Sequence, residues 1–397
     1  MVPTPKSCAN LNLSTRVVHE EAELWSLASD WMNLFHRAEC NNIFLSFEWL
    51  SQWWAHFGNN SRLFVVTVRE NDGHLVAVAP LYISTGWAPL SLRKLGLLGD
   101  GFVGSDHLDF LVENTYLPEA LESIRNCVFD QRKEWDFIEF TSTSPNSIAL
   151  TQFQNILEAA QMTIYRTASS LCPYLQLPCG TEEYWNSLRP KLRKNIKYQT
   201  RSIQREGQLN FVVIEDTSAT ARALDDLLRL HQLRSERRSR NSTFLDPKVV
   251  PFHRAALRAL ATQGRARIFF LELSGKRIAA LYGFATDRKF CYYQSGADPA
   301  YSRFGVGTIL ISSVIEWAIR SGYREFDFLR GDEPYKQLWA TGSTQLHDIA
   351  FFDRQAKSRL AQLVRVVRSS LHDWKAALLR RGTSRSGRPG PVATTAL

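Results

Sequence analysis

The predicted secondary-structure elements come in the same order twice, and this repeat constrains the fold more than any single motif. Residues 62–160 predict a hairpin, a strand, a helix, a strand and a helix; residues 267–352 predict the same succession and a last strand. The two stretches share no letter-by-letter repeat. Strands that alternate with helices are typical of mixed sheets covered by helices. We therefore expect an α/β (α+β) fold of two halves, each a mixed sheet flanked by helices.

The first half contains the clearest local signal, the Asn-Asp-Gly turn between the β-rich runs 62–70 and 74–84. Such a turn between alternating apolar residues predicts a hairpin. The other elements predicted in this half are helices 20–39, 44–58, 117–131 and 146–160 and strands 107–113 and 135–142. The elements predicted in the second half are helices 181–207, 217–239, 308–322 and 333–340 and strands 211–216, 267–273, 277–287, 289–297, 324–330 and 346–352.

Length and composition agree with a globular protein of more than one domain. The chain has 397 residues, of which 44% are hydrophobic, enough for a substantial core. We expect an N-terminal extension at 1–19, a first half at 20–178, and a connecting basic helix with the second half at 179–353. A basic amphipathic helix and a disordered end make up 354–397. No apolar run is long enough to span a membrane and no signal peptide is evident, so we predict a cytoplasmic protein.

The net charge of +9 is concentrated at the C-terminal end. Residues 354–397 hold ten basic side chains and the single acid Asp373, which gives +9, and the rest of the chain is balanced. A protein that binds nucleic acid over its whole surface would carry its basic residues elsewhere, so nucleic acid is not the expected partner. The apolar face of the tail helix fits two alternatives, docking on the fold or peripheral contact with an anionic membrane.

The stretch FDFLRGDEPYKQLWATG, residues 326–342, places the carboxylate of Asp327 inside an apolar strand. Burial would raise the pKa of Asp327 and make it a candidate base, whereas a capping contact or an ion pair with Arg324 or Arg330 is the alternative. Beyond the strand, Tyr335 is the candidate acid for a leaving group, and Lys336 is a candidate contact for an anion. Both could instead be ordinary surface residues of a short helix.

A glycine-rich loop, SRFGVGTIL at 302–310, joins a predicted strand to a predicted helix. Glycines permit close backbone approach, and the free N–H groups of a helix N-terminus hold phosphate groups. The loop is neither a Walker loop nor a dinucleotide fingerprint, because Gly-Lys-Ser/Thr is missing and Leu310 stands at the third glycine position. Phosphate binding and a simple turn both remain open from this loop alone.

Several stretches together resemble the GNAT acyltransferase superfamily, and more narrowly its CelD-type branch with two GNAT-like halves, related to FemAB. They are SFEWLSQWWAHFG (46–58), LRKNIKYQTRSIQREG (192–207), and the run from YYQSGADPAYSRFGVG to the Asp-Phe-x-x-Gly-x-x-x-Tyr-Lys-x-x-Trp pattern at 327–339. The resemblance extends from about residue 20 to about residue 352. It implies a cytoplasmic enzyme that transfers an acyl group, most simply acetyl, from acetyl-CoA or another acyl-CoA cosubstrate to an amine.

The resemblance also implies site residues. The strands before and after helix 308–322 should splay apart, so that the pantetheine arm enters the gap and the thioester lies near strand N–H groups. Catalytic candidates are Asp327, Tyr335 and Lys336. Residues implied for the acyl-CoA are Gln294, Ser295, Gly296, Arg303, Gly305, Val306, Gly307 and Thr308. Residues implied for the acceptor are Glu48, Trp49, Asp106, His107, Asp109 and Tyr293. A single histidine among these acids is too few for a typical metal site, so none is expected.

One departure from the GNAT pattern and one uncertainty about the acceptor leave alternatives open. Ser302 occupies the position where GNAT loops usually carry Gln or Arg, and FemAB relatives have largely lost CoA binding at this loop. The acceptor implied is an amine on an amino sugar or other envelope polysaccharide precursor. The alternatives are a FemAB-like transferase that uses aminoacyl-tRNA and a non-catalytic protein of polysaccharide export.

Overall fold

The computed structural model describes residues 13–38, 40, 42–87, 91–101, 103–237 and 242–367. The predictions for residues 1–12 and 368–397, including the end of the tail helix and the tail beyond Gly382, lie outside this range. No helix within the described residues is long and apolar enough to cross a lipid bilayer.

The first half contributes the elements up to residue 176. Its strands are β1 (Ser14–Val18), β2 (Ser61–Arg69), β3 (Leu75–Trp87), β4 (Leu92–Leu97), β5 (Leu111–Val112), β6 (Phe137–Thr143) and β7 (Thr163–Gln176). Its helices are α1 (Glu21–Ser26), α2 (Ala28–Arg37), α3 (Phe47–Phe57), α4 (Leu117–Asp130) and α5 (Ile148–Ala159).

The second half contributes the remaining elements. Its helices are α6 (Thr181–Ser187), α7 (Pro190–Gln204), α8 (Thr217–Arg237), α9 (Val249–Thr262) and α10 (Val306–Arg320). Its strands are β8 (Leu209–Ile214), β9 (Ala266–Leu273), β10 (Lys276–Ala285), β11 (Lys289–Ala297), β12 (Glu325–Asp327) and β13 (Gly342–Phe352). A further helix covers 356–367.

The two halves share one sheet because they exchange their last strands. The strand order is β1-β2-β3-β4-β6-β13-β7-β12-β11-β10-β9-β8, with β5 paired to β3. Strands at equal positions from the two ends of the sheet correspond to each other in the two halves. In this way β1, β2, β3, β4 and β6 correspond to β8, β9, β10, β11 and β12, and β13 corresponds to β7. The last strand of each half, β7 or β13, lies beside the other half's β12 or β6. The predicted mixed α/β class is therefore confirmed, and the halves form one intercalated sheet.

The core also crosses the boundary between the halves. Trp49 of α3 is fully buried and makes edge contacts with Phe252 of α9 and Phe284 of β10. A second apolar cluster on the opposite sheet face packs α6, α7 and α10 against β9–β12. Since a Trp or Phe side chain contributes about 3 kcal/mol or more to stability when buried, truncating this inter-half cluster would loosen both halves together.

The C-terminal helix at 356–367 docks on the fold at its beginning. Ala361 is buried against Phe137 and Phe352, and Gln362 Nε2 donates to Tyr165 Oη over 2.8 Å. Arg365 pairs with Glu139 of β6. Leu363, in contrast, is 59% exposed. The described part of the tail thus supports the docking alternative, and membrane contact stays a prediction.

Candidate active site

A fork between the parallel strands β11 and β12 opens the sheet in the second half. The two strands pair only over Lys289–Cys291 and Glu325–Asp327. Beyond this point β11 continues to Ala297 beside β10. The segment that follows β12 turns away through Leu329, which has a φ of 53°. Within the described residues, β11 therefore has no strand partner on that side after Cys291. The predicted divergence of these two strands is confirmed.

A β-bulge changes the side-chain pattern of β11 at the fork. Tyr282 of β10 pairs with Gln294 and Gly283 pairs with Tyr292, so Tyr293 is the extra residue. The sequence predicts that Tyr292 and Ser295 lie on opposite faces of an ideal strand. The bulge breaks this alternation and brings Tyr292 Oη within 2.5 Å of Ser295 Oγ. Sequence reasoning missed the bulge because nothing in YYQSG marks it.

Two cavities meet at the fork. The glycine-loop cavity, about 510 Å³, is bordered by Gly296, Gly305–Thr308 and Trp339. The inter-half cavity, about 660 Å³, is bordered by Asp106, His253, Tyr293, Gln294 and Lys336. Both cavities are lined by the same four residues, which are Arg234, Tyr292, Ser295 and Tyr335. A ligand in one cavity can therefore reach a ligand in the other at this junction.

The junction residues form a hydrogen-bonded chain. Tyr335 Oη donates to Tyr292 Oη over 3.3 Å, and Arg234 Nη1 donates to Ser295 Oγ over 2.5 Å. Burial raises the pKa of Tyr335, so its hydroxyl stays protonated at neutral pH. Arg234 comes from α8, more than fifty residues before the fork, and no local pattern identified it. Its signal in the sequence is only its place in a long helix of the second half.

The glycine loop presents its N-terminal helix end to the glycine-loop cavity. Gly305 is the residue before α10 and has a φ of 62°, a conformation that favours glycine. A Cβ at Gly305 would overlap the side-chain amide of Gln199 on α7. Gly307, by contrast, has open space around its Cα. The predicted loop residue Arg303 lines neither cavity, because its guanidinium lies over the Phe304 ring and near Glu206 at the surface.

Asp327 lies at the point of the fork, but its carboxylate is already bound. Its Oδ1 accepts the Leu329 N–H at 2.8 Å, and its Oδ2 lies 3.1 Å from His107 Nε2 and 3.4 Å from Lys289 Nζ. Burial alone would raise the Asp327 pKa, but these partners hold it well below its usual range. The expected rise in pKa is therefore wrong. Of the alternatives, the ion pair with Arg324 or Arg330 is wrong, whereas the contact with the Leu329 N–H is a local capping contact.

Lys336 is also buried and bound. Its Nζ donates to Arg330 O over 2.6 Å and to Leu329 O over 3.3 Å, and it lies 3.0 Å from Glu333 Oε2. These contacts use the three donors of an ammonium group. The predicted helix at 333–340 is a single 3₁₀ turn at Lys336–Leu338, which turns Tyr335 toward the junction. Lys336 contacts backbone oxygens, and its predicted role with an anion stays untested.

The loop at 104–108 divides the acceptor residues predicted in the first half. Asp106 is fully buried and faces the inter-half cavity, where Arg330 Nε donates to its Oδ1 over 2.6 Å. His107 and Asp109 line a separate cavity on the other side of the loop. Trp49 lines neither, because its indole is buried behind the loop and donates to Ser105 Oγ over 2.9 Å. Glu48 lies outside these cavities as well.

A candidate metal-binding group lies away from the fork. Within the described residues, only Glu70, Asp72 and His74 bring three such side chains together, at the turn between β2 and β3. This turn is exposed, and acids are common in such turns without an ion.

Comparison with known proteins agrees with this geometry. Residues 190–337 match the family described as "Acetyltransferase (GNAT) domain". FemX is similar in structure at a TM-score of 0.61 and 11% identity, over 88% of this chain and 99% of FemX. The C-terminal domain of a putative lysylphosphatidylglycerol synthetase from Agrobacterium fabrum has a TM-score of 0.52 and 11% identity, over 88% and 96%. L-PGS from Bacillus licheniformis has a TM-score of 0.52 and 13% identity, over 85% of this chain and 95% of L-PGS. No curated protein matches the sequence.

Fold, fork and family match define a chain with a GNAT fold and a matched acetyltransferase (GNAT) domain at residues 190–337. More particularly, its two-half architecture is similar to that of FemX. The predicted resemblance to the GNAT superfamily is thus confirmed. The narrower resemblance to the CelD-type branch stays a prediction.

Proposed function

We propose that the protein is an N-acyltransferase that moves an acyl group, most simply acetyl, from an acyl-CoA to an amine. The observation that carries this proposal is the meeting of two cavities at one polar junction on a splayed strand. A direct transfer forms no covalent intermediate with the enzyme. Both substrates must therefore reach the same point at the same time. The GNAT match of residues 190–337, which includes the fork, supports the acyl-CoA as donor.

The glycine-loop cavity suits the donor. Gly305 directly precedes α10, and the free N–H groups in the first turn of α10 can bind an anion. Arg234 and Arg237 border the same cavity and add positive charge for the phosphates of CoA. Leu338 and Trp339 supply an apolar wall for the pantetheine arm. The unpaired side of β11 supplies N–H groups for the thioester oxygen as negative charge develops on it.

The inter-half cavity suits the acceptor. It combines the aromatic side chains of Phe244, Tyr293 and Phe328 with the carboxylates of Asp106 and Glu333. Aromatic walls with a few fixed polar groups are typical of sites for small hydroxylated ligands. The proposed acceptor is therefore an amino sugar, and an amine on an envelope polysaccharide precursor is the natural extension.

The proposed chemistry uses residues of the junction. The neutral amine attacks the thioester carbonyl carbon, the new C–N bond forms, and the C–S bond breaks with its electron pair on sulfur. Tyr335, protonated and at the junction, donates a proton to the leaving thiolate. Glu333 is the carboxylate best placed to take the proton from the amine, because it lines the acceptor cavity and is 43% exposed. Asp327, already ionised and bound, holds His107 and the Leu329 turn in place.

A FemAB-like donor, an aminoacyl-tRNA, is the second candidate because α7 presents a basic stripe. Five basic residues and the 70% exposed Tyr198 border one surface groove. At 100° per residue these five basic side chains lie within about 120° of one another. Leu192, Ile196 and Ile203 face the core instead. The five residues are Arg193, Lys194, Lys197, Arg201 and Arg205.

Titration calorimetry with each donor separates the two candidates. If the donor is an acyl-CoA, CoA binds the parent protein and the Gly307→Ala variant binds it more weakly. Transfer is then followed as free thiol released from acetyl-CoA with a panel of amino sugars. Binding of aminoacyl-tRNA but not of CoA, lost with Lys194→Glu and Lys197→Glu, would favour the second candidate. If neither donor binds and no thiol is released, both candidates are wrong.

A further inference from the structure

A third cavity, which we call the Asp109 cavity, lies behind the loop 104–108. Its volume is about 480 Å³, and His107, Asp109, Lys289, Glu325 and Asp327 line it. The loop separates it from the inter-half cavity, because Asp106 faces one side while His107 and Asp109 face the other. The two cavities have none of their lining residues in common. The Asp109 cavity is thus a separate site.

The strand order gives this cavity a defined place in the fold. Reading the order from both ends makes β4 and β6 the counterparts of β11 and β12. The segment that leads into α4 then corresponds to the glycine loop before α10, and residues 144–149 correspond to the segment after β12. The Asp109 cavity is bordered by both of these segments, at 109–117 and 144–149. It is the first-half counterpart of the glycine-loop cavity.

Unlike its counterpart, the Asp109 cavity is unsuited to phosphate. The helix α4 begins with Leu117 and Pro118, and proline has no N–H to offer. Glu119 follows in the first turn and repels anions. The glycines and arginines that border the glycine-loop cavity have no equivalents among the residues that line this one. A second molecule of CoA does not fit these features.

The charges in the cavity select a cation. Lys289 Nζ lies 2.8 Å from Glu325 and 3.4 Å from Asp327, so its single charge is shared between two carboxylates. Asp109 has no Lys, Arg or His nitrogen within 4.0 Å in the described part of the chain. Its Oδ1 accepts the N–H of Phe110 at 2.7 Å, and the Ser147 side chain is its other hydrogen-bond partner, so both partners are neutral groups. Three carboxylates against one lysine and one histidine leave the cavity negative, and Asp109 is the uncompensated one.

Neutral polar groups surround this carboxylate. Asn114, Asn146 and Thr344 line the cavity with side chains that make no hydrogen bond to the described residues. Amide and hydroxyl groups that can both donate and accept are the partners that sugar hydroxyls require. We propose that the Asp109 cavity binds a small hydroxylated primary amine, a hexosamine in chemical class, with its ammonium on Asp109 and its hydroxyls on Asn114, Asn146 and Thr344.

This site is linked to the loop that closes the inter-half cavity. His107 of its wall contacts Asp327, and the preceding Asp106 holds Arg330. An ammonium beside Asp109 therefore sits two residues from the contact that anchors the fork. Binding here needs no donor, so the inference stands apart from the proposed transferase activity.

Calorimetry with glucosamine and no acyl donor tests the inference. Asp109→Asn should weaken binding about tenfold or more, because it removes a charge-assisted hydrogen bond. Glu122→Gln, a matched change of an exposed acid on α4, should leave binding unchanged. Glucose, which lacks the amine, should bind much more weakly. Since burial raises the pKa of Asp109 to about 7, affinity should also fall between about pH 8 and pH 6.

Two further variants keep the result decisive. Asn146→Ala, at the exposed rim, tests the hydroxyl contacts should Asp109→Asn fail to fold. Glucosamine is also an acceptor under the proposed function, so Tyr335→Phe is used to recognise binding in the inter-half cavity, and the binding event that Asp109→Asn weakens should persist in it. The proposal is wrong if glucosamine does not bind the parent protein, or if binding is unchanged in both Asp109→Asn and Asn146→Ala. It is also wrong if binding disappears with Tyr335→Phe. None of these outcomes depends on whether acyl transfer occurs.

Discussion

Arg330 binds Asp106 twice, through its backbone N–H at 2.8 Å and its Nε at 2.6 Å from the two carboxylate oxygens. The pair joins the segment after β12 in the second half to the loop 104–108 in the first half. Its guanidinium also donates to Ser105 O over 2.6 Å and to Ser142 Oγ over 3.0 Å. One arginine thus fixes the loop that separates the inter-half cavity from the Asp109 cavity.

Asp106→Asn is expected to destabilise the protein by about 3 kcal/mol, because removing one partner of a buried ion pair leaves the other uncompensated. The value is at the lower end of the usual range since the Arg330 side chain is 36% exposed while Asp106 is fully buried. Urea unfolding measures the change, with Glu122→Gln as the control. A loss no larger than that of the control would show that water compensates Arg330.

Much of the fold could be predicted from the sequence because the relevant signals are local. The hairpin at 61–87, the strand β11 and the helix α10 follow directly from alternation, turn residues and helical periodicity. The edge strand β1 lies in the stretch expected to be an N-terminal extension, and β7 escapes prediction because six polar residues hide its alternation. The exchange of β7 and β13 between the halves could not be predicted, since strand order depends on contacts far apart in the chain.

The site was predicted less completely, for a similar reason. The fork, the glycine loop and Tyr335 belong to one continuous stretch and were found there. Arg234 joins them only through the packing of α8 on β11, and no local pattern marks Glu333 as a residue of the inter-half cavity. The pKa of Asp327 was predicted in the wrong direction because His107, its partner, is 220 residues away in sequence. Burial is visible in a sequence pattern, whereas the charged partners of a buried group are not.

Tyr335→Phe should lower turnover by about 100-fold or more and leave stability nearly unchanged, because it removes only the proton donor at the junction. Asp327→Asn should instead lower turnover and stability together, since the Asp327 carboxylate anchors His107, Lys289 and the Leu329 turn. Thiol release and urea unfolding are measured on the same preparations. Tyr198→Phe on the exposed face of α7 is the control for loss of a tyrosine hydroxyl.

Glu333→Gln completes this comparison. The Glu333→Gln variant lacks the proposed proton acceptor, so its turnover should be reduced at neutral pH. Turnover should recover partly at higher pH, because the amine is then already neutral. A pH profile of turnover with one amino sugar checks this. An unchanged profile would assign proton removal to solvent, and the same recovery in Asp327→Asn would return the role of base to Asp327.

Gly305→Ala and Gly307→Ala are expected to separate folding from donor binding. Alanine at Gly305 meets both a left-handed backbone and the Gln199 amide, so we expect a loss of about 1–3 kcal/mol. Alanine at Gly307 lies in open space within α10 and should stabilise the helix by up to about 1 kcal/mol. Gly307 lines the glycine-loop cavity, however, so the added methyl group should weaken CoA binding. Unfolding and calorimetry with CoA measure the two effects, and unchanged CoA affinity in Gly307→Ala would place the donor elsewhere.

His253 should make the protein less stable as the pH falls from about 6.5 towards about 3. Burial lowers the pKa of His253 to about 3, whereas the unfolded chain binds a proton near pH 6.5. In that window the unfolded state holds more protons, so the free energy of unfolding falls as pH decreases, by up to about 1.4 kcal/mol per pH unit.

Replacement of His253 by phenylalanine should remove that slope, because the ring is packed among aromatic side chains, with the Phe244 centroid at 4.7 Å, and because its Nδ1 has no hydrogen-bond partner in the described residues. The lost contact is a 3.4 Å hydrogen bond with Tyr293 Oη, which still donates to Val103 O. Urea unfolding at several pH values between about 7 and 4.5 measures the slope. His74→Gln on the exposed turn is the control, and its free energy of unfolding should depend on pH as that of the parent protein does. If the His253 variant showed the same pH dependence as the parent, the buried ring would be protonated through local opening.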